Sequence, residues 1–64
     1  GTAKSSDKHF KIFLEHSLGS AFEWETQLEI AKIKKYFNNK DYEKLKDRVQ
    51  QLQRMIGAFI DRLQ

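Results

Sequence analysis

Apolar side chains recur along this chain at spacings of three and four, the period that returns residues to one face of an α-helix. Phe10, Leu14, Ser17, Ala21, Trp24, Leu28 and Ala31 form one such seam. Ser17, Ala21 and Ala31 are small enough to admit a neighbouring helix opposite Phe10, Trp24 and Leu28. Tyr42, Leu45, Val49, Leu52, Ile56, Phe59 and Leu63 form a second seam, backed by the largely polar face of Lys40, Asp47, Gln51, Arg54, Ala58 and Asp61. The pattern predicts two long helices, about 6–36 and 39–63.

The boundaries rest on local signals. Residues 1–5 are small and polar, the composition of a flexible lead-in. Ser5 or Ser6 can cap the first helix, with Asp7 in its first turn where a negative charge favours the helix dipole. Asn38 is a good N-cap for the second helix. Asp41 stands three residues on, where its carboxylate can reach back as in a capping box, and Phe37 and Tyr42 occupy the two positions of a hydrophobic staple. So short a connection makes the helices antiparallel neighbours. The expected fold is all-α: an antiparallel hairpin, one unit over 1–64, that associates into an up-down four-helix bundle or larger oligomer.

Association is expected for two reasons. With 64 residues and no cysteine, the chain has a marginal core and neither disulfides nor thiolate metal sites to reinforce it. Ile12, Phe22, Ile30 and Ile33 also lie off the first seam, as does Phe37 if the helix reaches that far. Burying each of these side chains contributes roughly 1.5–3 kcal/mol, so they are the candidate oligomer interface. Gly19 costs a helix about 1 kcal/mol relative to alanine, and close helix contact is its expected reason.

Charge adds one feature. The net charge is only +3, but Lys32, Lys34, Lys35, Lys40, Lys44, Lys46 and Arg48 outnumber Asp41, Glu43 and Asp47 around the middle of the chain. One reading is a solvated hairpin end, since cations suit the last turn of one helix and acids the first turn of the next. The other is a phosphate-binding patch, multiplied in an oligomer, with Lys34, Lys35, Lys40, Lys44 and Arg48 as candidate nucleic-acid contacts. Glu25 falls at the edge of the first seam. It is either a polar lock on helix register, with Arg48 or Arg54 at about the right level, or a side chain that reaches water at the bundle edge.

No catalytic signature accompanies these features, and no enzyme activity is expected. His9 and His16 are two helical turns apart, too far to share a metal ion, and neither follows a Glu by three residues as in bundles that bind two metals. Ser17 and Ser20 lie near His16 without an oriented base or oxyanion pocket. No Gly-rich phosphate loop is present. No cofactor and no metal are expected. The chain has no apolar run of membrane-spanning length, and the lack of cysteine fits a cytoplasmic setting.

The stretch FKIFLEHSLGSAFEWETQLEIA at Phe10–Ala31 resembles the bacterial four-helix bundle proteins encoded in intervening sequences of 23S rRNA genes, sometimes labelled S23 ribosomal proteins. GSAFEWETQLEIA at Gly19–Ala31 is its most specific part. Tyr36, the Asp41-Tyr42-Glu43 turn and the tail RMIGAFIDRL at Arg54–Leu63 match in the same order. The tail departs at Gly57-Ala58, where the family tends to place a polar residue and then a glycine. The family carries two further helices upstream, so the resemblance is to its back half. It implies a symmetric homo-oligomer, commonly a pentamer; if the upstream helices are absent, two hairpins pairing to rebuild four helices is the alternative expectation. Members of a related group, the accessory variability determinant of diversity-generating retroelements, bind a reverse transcriptase and nucleic acid, so the resemblance implies a bundle that acts by binding, with RNA or a reverse transcriptase-like protein as candidate partners and none identified for this chain. It gives Glu25 and the seam a structural role.

Overall fold

The computed structural model describes residues 2–64, and side chains from Asp7 onward. Two helices, α1 (Thr2–Ile33) and α2 (Asn39–Arg62), form the expected antiparallel hairpin, 51 Å long and only 15 by 12 Å in section. No strand occurs among the described residues.

The turn is held by local chemistry. Asn38 is the N-cap of α2, and its side-chain oxygen accepts the Asp41 N–H at 2.8 Å. The return bond from the Asp41 carboxylate, expected for a full capping box, is absent among the described residues. Phe37 packs on Tyr42 with ring centroids 6.3 Å apart, completing the staple.

Both limits of α1 differ from expectation. It begins at Thr2, so Thr2–Ser5 are helix rather than lead-in, and Ser5 and Ser6 lie inside it rather than capping it. No proline interrupts this stretch, and its first glycine after Gly1 is Gly19, so nothing there breaks a helix. At the other end α1 stops at Ile33, short of the expected residue 36. Lys35 adopts a left-handed backbone, φ 61°. The N–H groups of Tyr36 and Lys35 then return to the carbonyls of Ala31 (3.0 Å) and Lys32 (2.9 Å). This is a Schellman closure with lysine at the position glycine usually fills. Phe37 is thereby taken off the helix and half-buried against Tyr42 instead of joining the off-seam band.

The helices meet along a line rotated from the expected seams. Leu14, Ile56 and Ile60 form the core cluster, with Leu18 and Leu63 packed against it, and Ala21, Val49 and Tyr42 are buried nearer the turn. Phe10 and Trp24, both expected in the seam, are exposed, Trp24 at 68%. Leu45, Leu52 and Phe59 on α2 are also left open. Glu25 and Glu29 face α2 beside this line and meet polar partners there. Gly19 faces away from α2, and a side chain there would meet nothing within 4 Å, so close contact with α2 does not explain it.

Candidate binding surfaces

At the turn end, Tyr42 is the most buried side chain, 2% exposed. A buried phenol needs a hydrogen-bond partner, and here its hydroxyl donates to the Glu29 carboxylate. Lys46 pairs with the same carboxylate at 3.7 Å. The Lys32 ammonium sits 4.3 Å from the centre of the Tyr42 ring, a cation–π contact. The bond from Tyr42 holds the Glu29 carboxyl below its ordinary value, with Lys46 and Lys32 adding to the effect and burial opposing it. The same bond, with burial, pushes the Tyr42 phenol up. Sequence reasoning missed this cluster. A tyrosine at the head of an otherwise apolar seam was the available signal.

Glu25 is half-buried and accepts the side-chain amides of Gln50 at 3.1 Å and Gln53 at 3.2 Å. Gln53 also reaches the Ala21 carbonyl at 3.4 Å. Glu25 therefore does tie the helices together, but through neutral amides. Arg48 and Arg54, its expected partners, are exposed, because the rotation of α2 presents Gln50 and Gln53 to α1 instead.

The five candidate nucleic-acid contacts are all exposed. Lys34 and Lys35 stand in the turn, and the Lys34 ammonium lies 5.9 Å from the Tyr36 ring centre. Lys40, Lys44 and Arg48 follow at intervals of four on α2, the spacing of one helix stripe. Lys32 and Lys46 belong to the Tyr42 cluster, and the exposed Asp41, Glu43 and Asp47 lie among the other five bases, so the positive surplus of this stretch is smaller than its count of lysines.

Two apolar surfaces flank α1. The expected band is exposed, with Ile12 at 44%, Phe22 at 52%, Ile30 at 39% and Ile33 at 79%. The second surface is a groove shared by both helices. Phe13, Ser17, Ser20 and Trp24 line one wall, Leu52 and Ile56 the other, over a floor of Leu14 and Ala21. It continues toward the turn past Trp24 to Leu45 and Val49. Trp24, Leu45 and Leu52, expected inside the hairpin, line this groove instead, and Phe13 lies off both seams. His9 and His16 are exposed, and no group of three or more His, Asp or Glu that could hold a metal occurs among the described residues. No described helix is long and apolar enough to cross a membrane.

These features define a small all-helical hairpin with apolar side chains uncovered on two sides and a basic turn. The family model described as 23S rRNA-intervening sequence protein matches residues 1–58, and the chain belongs to that family. No curated protein and no solved structure matches the chain.

Proposed function

We propose that the chain acts by binding: a non-enzymatic hairpin that assembles into a homo-oligomeric helical bundle in the cytoplasm and offers its basic turn to RNA or to a nucleic-acid enzyme such as a reverse transcriptase. The observation that carries the reading is the exposure of large apolar side chains on both helices, which in a small soluble chain marks surfaces for other helices. The exposed positive charge at Lys34, Lys35, Lys40, Lys44 and Arg48 supports the RNA part. A titration with structured RNA at two salt concentrations tests it. Affinity falls steeply with salt, because each phosphate neutralised releases counterions. Replacing Lys34, Lys35 and Lys40 with glutamine weakens binding alike for unrelated sequences and flattens the salt dependence, since phosphate contacts position without reading bases. Absence of binding even at low salt overturns the RNA reading.

The second reading is a structural or protein-interaction module without nucleic-acid binding. The engagement of Lys32 and Lys46 with Tyr42 and Glu29 favours it, because part of the basic cluster already serves the fold.

A further inference from the structure

We infer that Tyr36 is a stacking platform for an unpaired RNA base, with Lys34 and Lys35 beside it to hold the phosphates of that strand. This rests on the RNA reading above and narrows it from phosphate contact in general to unpaired RNA.

Three observations carry it. The first is place. Of the large apolar side chains that stand exposed among the described residues, Tyr36 alone lies outside both helices. The others run along α1 and α2, where a helix packed alongside would cover them. Tyr36 stands past the end of α1, at the tip of a hairpin 51 Å long, and is 72% exposed.

The second is rigidity. The Tyr36 N–H is tied to the Ala31 carbonyl at 3.0 Å, and the next residue, Phe37, is stapled on Tyr42. The backbone is thus fixed on both sides of the ring, while the ring itself takes no part in the core. A platform whose backbone is already ordered loses little conformational freedom when a ligand settles on it. Tyr42 is the contrast. Its ring is buried and its hydroxyl donates to Glu29, so its place in the fold is accounted for.

The third is charge. The Lys34 ammonium lies 5.9 Å from the centre of the Tyr36 ring, Lys35 stands between the two in the chain, and both lysines are exposed. No acid occurs from residue 30 to residue 40, so this part of the tip is free of the carboxylates that dilute the α2 stripe. An aromatic face for the base, with cations for the backbone, is the combination that holds single strands. A paired base is closed to such a ring by its own neighbours in the helix. Bases of loops, bulges and ends can be splayed out onto it.

Binding of the 64-residue chain to a single-stranded RNA and to a blunt RNA duplex of equal length, across a salt series, tests the platform. Tyr36→Leu is expected to weaken the single strand about tenfold and to leave the duplex unchanged. Its salt slope stays that of the parent chain, because the slope counts phosphates. Tyr36→Phe, which keeps the ring, binds like the parent. Lys34→Gln lowers the slope for both RNAs. Helical circular dichroism of all three variants matches the parent, since these side chains lie off the core. If Tyr36→Leu binds the single strand as well as the parent does, or weakens both RNAs alike, the platform is overturned and the phosphate patch stands. Absence of binding to either RNA at low salt overturns the platform and the RNA reading together.

Discussion

In α2 the apolar side chains keep to one side. Tyr42, Val49, Ile56 and Ile60 are buried against α1, Leu45, Leu52 and Phe59 lie along the adjacent edge, and the far side is polar. In α1 they spread around the axis. Leu14 and Ala21 face α2, Phe13 and Trp24 occupy one flank, and Ile12, Ile30 and Ile33 lie elsewhere on the surface. The two helices meet each other over similar lengths, so the hairpin contact does not account for the difference. A helix with one apolar stripe has one neighbour to satisfy, and a helix apolar on several sides has more than one. The comparison makes α2 the element committed to the hairpin and α1 the element with apolar surface beyond what the hairpin covers.

Substitutions break or sharpen that contrast. The largest loss is expected at Ile56→Ala, which empties part of the core cluster and costs about 2–5 kcal/mol. Trp24→Ala, on the exposed flank of α1, leaves the stability of the hairpin itself nearly unchanged. Urea melts at a concentration where the chain is monomeric check the pair, and equal losses would erase the division of labour between the helices.

Asn38→Ala removes the N-cap of α2 and is expected to cost roughly 0.5–2 kcal/mol in the same melts. This cap, the staple and the antiparallel pairing were all legible in the sequence, because each depends on residues a few positions apart. The rotation of the helices was not. Whether Trp24 or Glu25 faces α2 depends on which polar groups α2 can offer, and Gln50 and Gln53 lie 25 and 28 residues from Glu25. The partners of Glu25 and the exposure of Phe10 and Trp24 therefore escaped periodicity, which specifies a stripe but not its neighbour. The left-handed Lys35 escaped for another reason: no glycine marks the turn.

At that position Lys35→Gly is expected to stabilise the hairpin by about 1 kcal/mol, by relieving the Cβ strain of a left-handed residue. Differential thermal melts of the two chains register it, and a loss of stability would mean that the lysine side chain holds the turn.

The smallest effect concerns pH. Because the Glu29 carboxyl is depressed in the folded chain, its contribution to stability is present above its ordinary value of 4.5 and is lost as pH falls through the folded value. Tyr42 is raised, so its contribution holds below its ordinary value of 10.0 and is lost as pH rises through the folded value. Glu29→Gln is expected to flatten the acid limb of a stability–pH curve. An acid limb that Glu29→Gln leaves unchanged would assign the acid sensitivity to the hairpin at large rather than to the Tyr42 cluster.

Tyr42 also bears on how the chain finds its shape. Its bond to Glu29 spans only 13 residues, whereas Leu14 must meet Ile56 and Ile60 from the far end of the chain. Closing a short loop costs less chain entropy than closing a long one. The turn with its polar cluster is therefore the economical nucleus, and each later contact along the hairpin closes only the small additional loop left by the one before it. Folding then proceeds as a zipper from the turn toward the termini, over mostly local steps of the kind that allow rapid folding. The exposed flanks of α1, with Phe13, Trp24 and Phe22, take no part in that zipper.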